Sequence, residues 1–341
     1  MSHRKTSQDA ALTRRLMLAS LAATPLTAAT TRRTAMGVAT DSTPSRRGVA
    51  TLDFIDLCHQ WGMGGVQCPL IPLDADTARK VRAKLESLNL FLVVSVSIND
   101  TERFRQTATL AAAAGASVLR VPSGGRRYEE FNTLAERQAH VAAVHQRLRA
   151  AIPLAEQLKL PIGLENHKDF TIDEQVQLYK DYSTSYFGAC VDTGNNMALL
   201  DDPMETVEKL APYAVTAHLK DATLEEYEEG FLLGDIPLGE GMMDLPLVVR
   251  LLHQHRPALP ILLECITRSP LKIPCLTDKY WATFPDRGGL HLARMLRLVR
   301  ANKPNRQLAV RPGIPADELR RLETDSIERS IAYARDKLSL V

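Results

Sequence analysis

A chain of 341 residues, 45% of them hydrophobic, is long enough to bury one large core. Its 42 basic and 40 acidic residues nearly cancel, which argues against nucleic acid as a partner. No run of 18 uncharged apolar residues is present to span a membrane, and the five cysteines form no CxxC pair, so they read as buried thiols rather than a disulfide framework.

Residues 1–30 read as an export signal. Arg14 and Arg15 precede an apolar run from Leu16 to Leu26, and small residues follow at 27–29. That order resembles a twin-arginine-like signal, placing the protein in the periplasm; a basic leader on a cytoplasmic protein is the alternative. Cleavage near Ala29 leaves 38 basic against 39 acidic residues, close to neutrality.

From residue 31 onward, apolar runs alternate with helical patterns through to 341, as one domain. The expected strands are 36–40, 64–70, 90–98, 116–122, 160–165, 186–192, 214–220 and 260–265. Amphipathic stretches such as 74–89 and 133–159 lie between them, and Thr51, Asp74, Asp173 and Asp202–Pro203 stand where helix caps belong. Eight strand–helix units over about 300 residues predict a (β/α)8 TIM barrel. An open dinucleotide-binding sheet is disfavoured, because the glycine cluster at 62–67 enters a strand rather than leaving one for a helix. Segments 222–244 and 266–289 exceed what the repeat needs and read as long loops at the C-terminal mouth.

Four expected strands end in a residue whose burial alone is costly: Glu165, Asp192, His218 and Glu264. The first three are one repeat apart, which predicts a common level in the barrel. Alternation along a strand puts His167, Cys190 and Lys220 on the same inward faces, and small residues beneath, such as Gly163 and Gly188, leave room for a cluster. Three carboxylates forced together repel one another and lose hydration. One divalent cation removes both costs, and oxygen and imidazole ligands suit Mn²⁺ first, with Mg²⁺, Co²⁺ and Zn²⁺ open.

The stretches "GLENHKDFT", "VDTGNN", "HLKDA", "PLGEG" and "LLEC" resemble the sugar-phosphate isomerase/epimerase superfamily, the xylose isomerase-like barrels. The resemblance is strong from the fifth strand to the eighth and architectural before that. It implies Glu165, Asp192, His218 and Glu264 as metal ligands, with Glu165 and Glu264 doubling as the acid/base pair on opposite faces of a substrate. It also implies a homodimer or homotetramer. Ketohexose 3-epimerases carry a histidine where this chain has Asn195, so close identity with them is not expected; His167 matches the "ENH" version of other branches.

The expected activity is isomerisation or epimerisation of a keto-sugar or related polyol, by proton abstraction next to a carbonyl while a metal holds the enediolate charge. With a leaving group beta to the carbanion the same apparatus is a lyase or dehydratase, and a non-catalytic exported sugar-binding barrel is a further alternative. His167, Asn195, Lys220, Arg120 and Gln67 are the substrate-binding candidates. "SGGRRYE" (123–129) is a weaker phosphate-cradle candidate, and Tyr280, Trp281 and Phe284 are placed either to stack on a sugar or to form a satellite core. A DNA-cleaving barrel is disfavoured by the neutral charge.

Overall fold

The computed structural model describes residues 34–302 and 313–341; the leader read at 1–30 lies outside the described residues. In chain order the strands are β1 (Gly37–Ala39), β2 (Gly65–Cys68), β3 (Phe91–Ser95), β4 (Val118–Pro122), β5 (Ile162–Glu165), β6 (Phe187–Asp192), β7 (Ala214–Leu219), β8 (Asp221–Tyr227), β9 (Gly230–Ile236), β10 (Ile261–Leu263) and β11 (Leu271–Ile273). Strands β1–β7 and β10 close into a parallel barrel in the order β1-β10-β7-β6-β5-β4-β3-β2. All eight fall inside the expected runs. Apolar side chains cover the outward faces of the strands because crossover helices bury them.

Helix boundaries follow local chemistry. Ala75–Leu88 starts where the Asp74 carboxylate accepts the Thr77 amide at 2.7 Å and stops at Asn89, which takes a left-handed φ of 52°. Asp202 caps Pro203–Leu210 as expected, accepting from Met204 and Glu205. Two expected caps are displaced. Asp173 sits in the first turn of Ile172–Tyr182, which is capped by a reciprocal box between Thr171 and Glu174. Thr51 is the first helical residue of Thr51–Gln60, and its hydroxyl instead bridges Pro69 and Ile71. Among the described residues no helix is long and apolar enough to cross a membrane.

Inside the barrel, Val93, Val118, Val215 and Leu262 pack with Phe91 into a small apolar plug. The space above Gly163 and Gly188 is therefore filled from across the barrel: a Cβ on Gly163 would lie 3.1 Å from Val215 and 3.2 Å from Thr216. The small residues admit this plug, correcting the expectation that they leave an open floor. The polar cluster rests on top of it.

Segments 222–244 and 266–289 are not irregular loops. β8 and β9 form an antiparallel hairpin, to which β11 adds a third strand. Leu224, Phe231 and Leu233 are buried while Glu225 and Glu226 are exposed, so the acidic run masks a half-buried strand pattern. Tyr280 and Phe284 are buried and stack with one another, and Tyr280 stacks on Tyr128. They belong to the main core rather than to a satellite, with half-buried Trp281 packed against it, and this removes the sugar-stacking alternative.

Asp221 anchors the return of the hairpin. Its carboxylate accepts the amides of Ala222, Gly239, Gly241 and Met243 at 2.9–3.1 Å. A Cβ on Gly241 would fall 2.1 Å from that carboxylate, so the close approach requires glycine. Asp221→Ala strands four backbone N–H groups, two of them buried, and is expected to cost about 3 kcal/mol of folding stability, read as a lower midpoint in urea. An unchanged midpoint would show the clamp to be dispensable.

Candidate metal centre

Glu165 ends β5, Asp192 ends β6, His218 lies in β7 and Glu264 follows β10. Strand pairing sets Glu165 beside Cys190, Asp192 beside His218, and His218 beside Leu262. The positions are thus offset by two residues at two of the three boundaries, rather than level along the strands. The tilt of a closed barrel requires such a stagger, and it brings the four to one level along the barrel axis. One ligand atom from each side chain lies within 4.8 Å of all the others. All four residues are buried.

His218 organises the group. Its Nε2 lies 2.8 Å from the Gln67 side-chain oxygen, which can only accept, so Nε2 carries a proton and donates. Nδ1 then faces the carboxylates, 3.3 Å from Glu264 Oε2, 3.7 Å from Asp192 Oδ2 and 3.8 Å from Glu165 Oε1. His218 Nδ1, Asp192 Oδ2, Glu165 Oε2 and Glu264 Oε2 are buried without a well-formed hydrogen bond. Three carboxylates and an imidazole nitrogen gathered within 4.8 Å, held by ion pairs with Lys220 and Arg120, have the donor composition of a divalent-cation site.

Neighbours fix each ligand. Asp192 turns Oδ1 to the amides of Gly194 and Asn195, both at 2.9 Å, leaving Oδ2 for the centre. Asn166 grips the backbone of Asp192 on both sides, donating to its carbonyl and accepting its amide at 2.7 Å each. Arg120 forms an ion pair with Glu165, and Asn195 donates to Glu165 Oε1 at 3.0 Å. Lys220 lies 2.8 Å from Glu264 Oε2 and 3.2 Å from Asp192 Oδ2.

These surroundings treat the two glutamates differently. Burial raises the pKa of Glu165 against the opposing pull of Arg120. Burial acts the same way on Glu264, but Lys220 and His218 outweigh it and hold that carboxyl well below the usual range. His167 Nδ1 lies 3.1 Å from Gly125 O. That oxygen is an acceptor, so Nδ1 donates, and burial with nearby Lys168 keeps the ring neutral.

Two members of the cluster, Glu165 and Glu264, line a cavity of about 690 Å³. Of the substrate-binding candidates, His167, Lys220 and Arg120 line it. Gln67 is buried behind His218, which it orients. Asn195 is enclosed by Lys168, Lys220 and Glu165. Lys220 pairs with the cluster rather than with Asp221, whose carboxylate is taken up by backbone amides. The arginines of 123–129 are likewise engaged: Arg126 with Glu129 and Arg127 with Glu174. Both arginines that a phosphate cradle there would use are thus already paired.

Sequence reasoning missed three residues. Lys168 lies past the end of β5, where alternation no longer predicts direction, yet it is buried and lines the cavity. Asn166 reads as outward by the same alternation. Asp235, on the hairpin, holds Arg268 at the cavity wall at 3.0 Å; no motif marks it.

A closed (β/α)8 barrel with a buried Glu–Asp–His–Glu group at its C-terminal mouth is built like a metal-site barrel. The chain belongs to the xylose isomerase-like TIM barrel family, whose model matches residues 55–282. Among curated proteins it is similar to a 3-oxo-isoapionate decarboxylase of Pectobacterium atrosepticum, 25% identical over 167 residues, 48% of this chain and 58% of that one. The chain spans less than two thirds of the curated relatives it matches. Its fold is shared with a D-psicose 3-epimerase solved in the presence of D-fructose, at a TM-score of 0.57, 13% identity and coverage of 89% and 99%. It is shared too with a xylose isomerase-like barrel of Mycobacterium smegmatis in complex with magnesium, at a TM-score of 0.51, 18% identity and coverage of 72% and 88%.

Proposed function

We propose that this protein is a divalent-metal-dependent enzyme that moves a proton next to the carbonyl of a keto-sugar or related polyol. The observation that carries the reading is the convergence of four buried metal-ligating side chains within 4.8 Å of one another, two of which, Glu165 and Glu264, line a cavity. A cation held by Glu165, Asp192, His218 and Glu264 would supply the positive charge that acidifies the C–H and steadies the charge left by its proton.

The protein's own groups do the rest. Glu165 and Glu264 stand on strands separated by β6 and β7, so they approach a bound sugar from different walls. One glutamate takes the proton and the other returns one on the other side. Neutral His167 presents Nε2 to the cavity as a hydrogen-bond partner for a hydroxyl, and Lys220 and Arg120 keep the carboxylates in place. Solvent deuterium should enter a candidate keto-sugar at the carbon next to its carbonyl, and exhaustive chelation should stop it. Exchange that survives chelation would contradict the reading.

A second reading keeps the same proton removal but ends in loss of a group from the substrate. The similarity to a decarboxylase favours it. Product analysis by NMR separates the two, since epimerisation conserves mass and elimination or decarboxylation does not.

Uptake of the cation should release a proton. Burial opposes protonation of His218, but Cys190, Glu264 and Asp192 outweigh it and hold its pKa well above the ordinary value. Below that raised pKa the ion-free ring carries a proton on Nδ1, the atom a cation needs. Lowering the pH therefore weakens binding, by about tenfold per pH unit for one proton released. Calorimetric titration with Mn²⁺ in buffers of different ionisation enthalpy reads the proton count directly; a value of zero would place the cation elsewhere.

A further inference from the structure

The charges around the cluster define what the cavity accepts. Glu165, Asp192 and Glu264 face three cations: Arg120, paired with Glu165; Lys220, between Asp192 and Glu264; and Lys168. Arg268 is balanced by Asp235, and the rim carries one acid and one base, Asp41 and Arg47. The three carboxylates are thus already matched by three cations, His218 aside. A divalent ion would add positive charge that no side chain answers. Burying uncompensated charge is expensive.

Lys168 is the group left over. It is 2% exposed, and its ammonium donates to the Asn195 side-chain oxygen, an uncharged acceptor that Lys220 also uses at 3.2 Å. Among the described residues no carboxylate forms an ion pair with it, whereas Lys220, Arg120 and Arg268 each have one. Lys168 nevertheless lines the cavity beside Glu165 and His167. Ammonium groups held this close together repel, and burial and Lys220 pull Lys168 down to about 8. An arrangement that costs this much without a ligand is repaid by one bearing negative charge.

We infer that the substrate is a sugar acid, whose carboxylate is received by Lys168 while its keto and hydroxyl oxygens face the cluster. This rests on the metal-site reading above and narrows it: a neutral keto-sugar would leave Lys168 uncompensated. Lys168 is then a specificity residue, separate from the ligands and from the acid/base pair.

The test is calorimetric binding of gluconate and of its neutral counterpart glucitol to the Mn²⁺-loaded protein, for wild type and Lys168→Met. Gluconate should bind wild type at least about tenfold more tightly than glucitol, the worth of one charge-assisted contact. In Lys168→Met the preference should vanish while Mn²⁺ affinity stays within about threefold, which also shows that the variant is folded. Equal affinities in wild type, no gluconate binding, or a preference retained in Lys168→Met would overturn the inference. The two readings fail separately. Mn²⁺ binding without a Lys168-dependent carboxylate preference defeats this inference alone. A preference that persists in protein unable to bind Mn²⁺ defeats the metal reading alone.

Discussion

Glu264→Gln, assayed at saturating Mn²⁺, is expected to lose about a thousandfold in turnover, the scale of general acid–base catalysis. The amide matches the carboxylate in shape but cannot accept a proton, and it removes the negative charge that Lys220 pairs with at 2.8 Å. Because the side chain is buried against the cluster, water cannot stand in for it. Glu165→Gln should show a similar loss, with Arg120 released from its ion pair. Saturation with metal separates the two roles of each glutamate: a weakened ligand shows as a higher Mn²⁺ requirement, a missing base as a ceiling on turnover. More than a tenth of wild-type turnover at that ceiling would remove the variant residue from the acid/base pair.

His218→Ala is expected to weaken Mn²⁺ binding by more than the 10–100-fold typical of a supporting residue. It removes the one donor that approaches all three carboxylates. Gln67→Ala supplies the comparison. It removes only the acceptor that holds Nε2–H and turns Nδ1 inward, so its loss should stay within the 10–100-fold range. Titration calorimetry or Mn²⁺ electron paramagnetic resonance ranks them. Equal, small effects from both would place the ion away from His218. The melting temperature checks that loss of metal, not of fold, is being read.

The barrel was legible because its strands are long apolar runs at one repeat length, and burial on both faces permits little else. The four cluster residues were legible for a related reason: a charged residue closing an apolar run has few inexpensive explanations. What the sequence hid were features that depend on register and on segments outside the repeat. Alternation gives the face of Asp192 and His218 but not the two-residue stagger, which the closure of the whole barrel sets. Lys168 was hidden because β5 stops at Glu165 and the chain turns, so a residue that alternation sends outward ends up in the cavity. The β8–β9 hairpin was hidden because its outer face is acidic, and only Leu224, Phe231 and Leu233 mark the inner one. Asn195 and Gln67 were seen as polar residues near the site. Their work of holding Glu165 and His218 depends on distances that spacing does not contain.

The most direct test is anomalous diffraction from a crystal soaked in Mn²⁺. The account predicts one strong peak bounded by Glu165, Asp192, His218 Nδ1 and Glu264, with ligand distances of about 2.0–2.2 Å. An empty centre, or a peak that avoids these four side chains, would contradict it.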